Sequence, residues 1–252
     1  MSGAAQFAGR VALVTGGAAG VGRAIVEDLA RRGAAVAIAD RDAAAANRLA
    51  GDIGARGGAA LAVETDVLDA ASIVSMLAAA LARFGKIDFL VNAGMLGPIK
   101  PLWETTDAEV DRVFALNVRA VFACTRLVVR HMMERNSGSI VTLASVAGKD
   151  GPKGMSIYAS SKAAVIAFTK SWAKDLVGHG IRVNCVAPSL VEATGMQSEM
   201  PAWFSSDSVS RIPMGRPASS AEVANVIAFL LSDEASFVTA ACYDVSGGRA
   251  VY

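Results

Sequence analysis

The start of the chain constrains its fold most. Arg10-Val-Ala-Leu-Val-Thr15 leads into Gly16-Gly-Ala-Ala-Gly20-Val-Gly22, and a helical pattern then carries Ile25, Leu29 and Ala30 to a stop at Gly33. A short unbroken apolar run is the mark of a strand covered on both faces, as in a parallel sheet. Glycines without Cβ let a backbone approach a pyrophosphate closely, and the free amides of a helix start supply positive potential. Strand, glycine turn and helix in that order make Gly16, Ala19, Gly20 and Val21 a candidate dinucleotide cradle rather than only a tight turn.

The next strand, Ala35–Asp40, ends on an acid eighteen residues after Gly22. A carboxylate there can accept bonds from both adenosine ribose hydroxyls and repels a 2′-phosphate, so Asp40 selects NAD over NADP. Arg41 beside it has the opposite preference. An alanine-rich helix (42–56) leads to a third strand (60–65) and to Asp66-Val67. Asp66 can hold the adenine edge or cap the helix that begins near Asp69. That helix ends near Gly85, and a fourth strand (87–92) precedes the small-residue turn Asn92-Ala93-Gly94, where a cofactor can again pass close to backbone. A long amphipathic helix (107–135) carries Asn117 in its interior, where asparagine is locally unfavourable. A fifth strand (139–144) delivers Ser145, a helix (156–177) follows, and strand six (181–186) closes on Ala187-Pro188. Residues 189–214 have no clear period and carry Met196, Met200, Trp203 and Phe204, a candidate lid over an apolar pocket. A helix (219–232) and a strand (240–245) finish the chain. Strands alternating with helices, without internal repeats, predict an α/β fold, one doubly wound parallel sheet spanning 1–252 with no domain boundary.

Within the 156–177 helix, Tyr158 and Lys162 lie four residues apart and so share one face. A phenol is a poor acid or base at neutral pH, and a neighbouring ammonium is expected to lower its pKa into useful range. A strand end places the Ser145 hydroxyl toward the same region.

The totals exclude other classes. A net charge of +1 without a basic block argues against nucleic acid or an anionic membrane as a partner. Hydrophobic residues make up 53% of the chain, yet no apolar run reaches the ~20 residues of a membrane span. Such a high fraction also suggests surface buried between subunits. Residues 1–10 lack the pattern of a secretory leader. Cys124, Cys185 and Cys242 are far apart in sequence and odd in number, which points to buried free thiols in a reducing cytoplasm. With His131 and His179 as the only histidines, a metal site has little to be built from.

These residues carry a resemblance. Thr15-Gly16-x-x-x-Gly20-x-Gly22, Asn92-Ala93-Gly94, Asn117, Ser145, Tyr158-x-x-x-Lys162 and Pro188 match the order and spacing of the short-chain dehydrogenase/reductases across essentially the whole chain. The resemblance implies a Rossmann-type domain with a seven-stranded parallel sheet and helices on both faces, NAD as cofactor, and a homotetramer or homodimer built on the two long helices. It also implies the roles of four residues. Tyr158 exchanges a proton with the substrate oxygen during hydride transfer, and Lys162 lowers its pKa and holds the nicotinamide ribose. Ser145 binds the reacting oxygen, and Asn117 keeps a relay water in line with Lys162.

The pattern departs from the family in places. Asn92 stands one residue short of the usual Asn-Asn-Ala-Gly, so its role is open. Pro188-Ser189 replaces Pro-Gly, Ala193 replaces a threonine expected at the pyrophosphate, and Val191 still fits a backbone contact to the carboxamide. For the small-molecule substrate, the tail Ser246-Gly-Gly-Arg249-Ala-Val-Tyr252 resembles that of bacterial 2-keto-3-deoxy sugar-acid dehydrogenases. Arg249 is then a carboxylate clamp, with Lys149 and Lys153 adding positive charge, or all three are solvated surface. Trp203 and the other lid residues point instead to an apolar alcohol or ketone, and a 3-oxoacyl thioester is a further candidate. A sensor or scaffold without catalysis is disfavoured by the intact Ser145, Asn117, Tyr158 and Lys162.

Overall fold

The computed structural model describes residues 6–94, 97–192 and 207–250. Among these, seven parallel strands form one sheet in the order β3-β2-β1-β4-β5-β6-β7. The strands are β1 (Val11–Thr15), β2 (Ala35–Asp40), β3 (Ala60–Glu64), β4 (Phe89–Asn92), β5 (Gly138–Leu143), β6 (Ile181–Pro188) and β7 (Cys242–Val245). The main helices are α1 (Gly20–Arg31), α2 (Ala43–Ala55), α3 (Ala70–Phe84), α4 (Asp107–Phe114), α5 (Val121–Glu134), α6 (Ala147–Asp150), α7 (Ser156–Leu176) and α8 (Ser220–Leu231). None is long and apolar enough to cross a membrane.

The period-2 geometry of β1 divides its side chains between two cores. Ala12 and Val14 join α1, α2 and α8 on one face, around Ile25, Leu49 and Ile227. Val11 and Leu13 join α3, α5 and α7 on the other, around Met76, Val128 and Ala173. This two-sided burial explains why the central strands read as unbroken apolar runs. The edge strands β3 and β7 are only half-buried.

Two expected elements differ in detail. The helix predicted over 107–135 contains a π-helical segment, Ala115–Ala120, between α4 and α5. One extra residue per turn there rotates Asn117 inward to complete burial. Ile87 and Asp88, assigned to the fourth strand, precede it: the Asp88 carboxylate takes the Val11 amide at 2.8 Å and pairs with Lys86 and Arg135. It thereby ties the amino ends of β1 and β4 to the end of α5.

Burial works to raise the Asp88 carboxyl, but Lys86, the Val11 amide and Arg135 together hold it below its ordinary value of 3.8. A depressed carboxyl contributes stability that is present above its unfolded pKa and lost as pH falls through the folded one. Asp88→Asn should therefore cost about 2–3 kcal/mol at pH 7. In denaturant titrations the gap to the parent should close as pH falls below 3.8.

Candidate active site

The strand order reverses between β1 and β4, and such a point opens a crevice at the carboxyl ends of the strands. A cleft of about 440 Å³ lies there, bounded by the β1–α1 turn, the ends of β4, β5 and β6, and the start of α7.

Gly16, Ala19, Gly20 and Val21 line it as expected, with Gly22 beside them. A Cβ on Gly22 would stand 1.9 Å from the Gly16 carbonyl oxygen, and one on Gly16 would stand 2.7 Å from the Gly94 amide nitrogen. Only glycine lets the two turns close on each other. Side chains of Asp42, Asp69, Thr106 and Ser219 cap α2, α3, α4 and α8, whereas α1 starts at Ala19 with no side-chain cap. Its first amides are left to face the cleft, which suits an anionic pyrophosphate.

Ala93, Gly94, Pro188, Ser189 and Val191 also border the cleft. Arg41 reaches it, while Asp40 stands just behind, its carboxylate accepting the Ala18 and Asp42 amides. These bonds fix the carboxylate at the strand end. Besides Asp40, four expected cofactor contacts do not line the cleft: Lys162, which is buried behind Tyr158, and Asn92, Asp66 and Val67. Asn92 turns into the core, where Nδ2 donates to Thr125 and Thr142, because β4 is buried on both faces. The Asp66 carboxylate takes the Leu68 amide in a local turn, and it is Asp69 that caps α3. Val67 packs against the core beneath α3.

The proton-handling group assembles from two elements. Ser145 follows β5, its hydroxyl accepting the Ala147 amide at 3.2 Å and bonding the Tyr158 hydroxyl. The Val146 amide donates to the Pro188 carbonyl and fastens this turn to β6. Tyr158 and Lys162 are buried on one face of α7, with the Lys162 ammonium 5.8 Å from the Tyr158 ring centre. Lys162 Nζ donates to the Leu143 carbonyl at 2.7 Å. Asn117 Nδ2 donates to Ser161, whose hydroxyl donates in turn to the Tyr158 carbonyl. The π segment and the Tyr158 turn of α7 are thus linked by Ser161.

Electrostatics depart from the expected depression of the phenol. Burial pushes Tyr158 up to about 12, with the Ser145 bond opposing it, and pulls Lys162 down to about 7. Shared helix spacing brings the pair together, but removal from water penalises both charged forms. At neutral pH the phenol holds its proton and can donate it. The Ser145 and Tyr158 hydroxyls converge on one side of the cleft, where they can bind a single substrate oxygen.

Among the expected substrate residues, Arg249 lines the same cleft. Its side chain is 8% exposed, and Nε donates to Asp150 at 3.4 Å. Lys149 is instead paired with Asp244 of β7 at 2.9 Å and does not line the cleft. Lys153 is exposed. Ala193, Met196, Met200, Trp203, Phe204 and Tyr252 lie outside the described residues.

Some contacts at the site escape a reading of the sequence. A Cβ on Gly97 would stand 2.5 Å from the Tyr158 ring, so this backbone packs directly on the phenol. A Cβ on Gly148 would stand 2.7 Å from the Lys162 carbonyl carbon. Gly-Pro after the Asn-Ala-Gly turn is the cue for the first. Asp150 offered none, since it meets Arg249 across 99 residues.

The model of the family described as enoyl-(acyl carrier protein) reductase matches residues 16–250. The chain is 39% identical over 252 residues to the 2-dehydro-3-deoxy-L-rhamnonate dehydrogenase (NAD(+)) of Sphingomonas sp. (strain SKA58), covering 99% of this chain and 98% of that one. It is 42% identical over 243 residues to the cis-4-hydroxycyclohexanecarboxylate dehydrogenase of Sinomonas cyclohexanicum, with coverage of 96% and 97%. The 3-ketoacyl-(acyl-carrier-protein) reductase of Brucella melitensis, solved with NADH, superposes with a TM-score of 0.91 at 34% identity, over 97% of this chain and all of that one.

With Lys162 proton-poor in the fold, the unfolded chain binds more protons between about 7 and 10.5, and stability from this group rises with pH across that window. Titration of 13Cε-labelled lysines should show one with a midpoint near 7, absent in Lys162→Met, which should also lose that part of the rise in Tm. A midpoint at the ordinary lysine value would mean that the Leu143 carbonyl outweighs burial.

Proposed function

The chain belongs to the short-chain dehydrogenase/reductase family, and from that premise we propose that it interconverts a secondary alcohol and a ketone on a small carboxylate-bearing substrate, with NAD(H) as cofactor. The observation that carries the substrate class is Arg249. Asp150 holds its Nε, and among the described residues the two terminal nitrogens have no partner while the side chain lines the cleft of Ser145 and Tyr158. A buried guanidinium with its fork open to a cleft suits a carboxylate, which it binds through two parallel hydrogen bonds. Two relatives bear the names of acid substrates, a deoxy-rhamnonate and a cyclohexanecarboxylate.

The residues fit the cofactor. The glycine turn and the uncapped start of α1 suit the pyrophosphate, and Asp40, fixed by two amides, favours an unphosphorylated ribose over the competing charge of Arg41. Bound NAD supplies or accepts the hydride. The chain does the rest: Ser145 and Tyr158 hold the reacting oxygen, and Tyr158 gives up its proton as charge develops there in reduction and recovers it in oxidation. A cation at Lys162 favours the phenolate, and its nearly neutral pKa lets it pass a proton onward. Asn117 and Ser161 hold that end of α7 in place.

A second reading follows from the apolar wall of Pro152, Met155 and Leu190, which suits an uncharged ketone or a 3-oxoacyl thioester. We also read the chain as one domain, with Leu190 and Ser208 on either side of the stretch outside the described residues both bordering the cleft. Phe122 of α5 meets Phe168 and Trp172 of α7 edge-on while those two stack on each other; this aromatic face, with Phe122 43% exposed, supports a homodimer or homotetramer burying it. Free cysteines suit the cytoplasm.

Nicotinamide absorbance, read with NAD and NADP against hydroxy and keto sugar acids, neutral secondary alcohols and a 3-hydroxyacyl thioester, tests the reading. Acids with NAD should be the best pair. Tyr158→Phe should lower kcat by roughly 10²–10⁴-fold with NADH binding, followed by fluorescence, nearly unchanged. Arg249→Ala should raise KM for the acid about 10–100-fold while sparing neutral alcohols. Equal effects on both substrate types would reassign Arg249 to structure.

A further inference from the structure

Two cysteines separated by 56 intervening residues come together at the sheet edge. Cys185 of β6 and Cys242 of β7 are register partners in parallel strands. Adjacent strands lie about 4.8 Å apart, inside the roughly 4.4–6.8 Å that a disulfide needs between Cα atoms. Both are free thiols, and the shared register sets their side chains on the same face of the sheet. Their surroundings differ. Cys185 is completely buried, whereas Cys242, on the edge strand, is only half-buried. Lys149, anchored by Asp244 two residues beyond Cys242, sets an ammonium beside the pair.

We propose that Cys242 and Cys185 form a peroxide-sensitive dithiol, Cys242 being the thiol attacked first and Cys185 the one that resolves it into an intrachain disulfide. The environment supports that order. The bond from Cys185 holds the Cys242 thiol below its ordinary value, assisted by Lys149 against the opposing effect of burial. Cys185 is held up by its bond to Cys242 and by burial. A thiolate with access to solvent beside a resolving thiol is the arrangement that peroxide oxidises selectively.

The chemistry closes without a further reagent. The Cys242 thiolate attacks the terminal oxygen of a hydroperoxide, and the O–O bond breaks. Alkoxide or hydroxide leaves and takes a proton from solvent, and Cys242 becomes a sulfenic acid. The Cys185 sulfur then forms the S–S bond, and the sulfenic oxygen departs as water with the Cys185 proton. Two thiols lose two electrons and the hydroperoxide gains them. The product ties edge strand β7 to β6.

The test uses the full chain and a built-in control. Cys124 is buried, and burial raises its thiol to about 12, so it stays reduced. Hydrogen peroxide at modest excess, quenching, unfolding, alkylation and peptide mapping should yield one Cys185–Cys242 disulfide, alkylation of Cys124 alone, and full reversal by dithiothreitol. In Cys185→Ser, dimedone should trap a sulfenic acid at Cys242; in Cys242→Ser, Cys185 should stay reduced. Wild-type protein in which both thiols survive, in which Cys242 proceeds to sulfinic acid, or in which the disulfide joins two chains would overturn the proposal whether or not the variants fold.

Discussion

The site depends on β1 pairing with both β2 and β4 while every strand runs the same way. Parallel strands need crossover connections, and crossovers leaving β1 and β4 in opposite directions leave their carboxyl ends uncovered. The glycine turn, the Ala93-Gly94 turn, Ser145 and Pro188 all stand at such ends because strands β1, β4, β5 and β6 bring them there. Asp88 secures the opposite, amino ends of β1 and β4, so the sheet is held at the end away from the cleft.

Burial then determines what the side chains can do. Lys162 gives up water for one carbonyl and a ring face, and its ammonium is correspondingly less favoured. Tyr158 is kept protonated by the same loss of water. The pair is thus set as a proton donor beside a nearly neutral lysine, and a positive charge arriving in the cleft would favour the phenolate. The glycines at 97 and 148 make this possible by letting backbone fill the space against Tyr158 and Lys162 where a side chain would separate them.

Charge around the cleft is apportioned by pairing. Lys149 and Arg249 both face acids across the junction of α6 with the chain's last segment, yet they end differently. Lys149 presents one ammonium, which Asp244 occupies; Arg249 has a planar fork, and Asp150 occupies only its Nε. Guanidinium geometry leaves binding capacity that an ammonium so paired does not have.

Local patterns in the sequence carried the architecture and several residues that meet at the cleft: unbroken apolar runs for covered strands, glycine spacing for the β1–α1 turn, and four-residue spacing for Tyr158 and Lys162. These signals lie within one element or its turn, so a linear reading reaches them. Tertiary structure decided what depends on neighbours far along the chain. It turned Asn92 inward, spent Asp66 on a local turn, neutralised Lys149 with Asp244 and inserted the π segment that buries Asn117. It also reversed the expected direction of the Tyr158 shift, because spacing reports proximity but not dehydration. Cys185 and Cys242 became neighbours only through the register of β6 with β7, which no short-range pattern records.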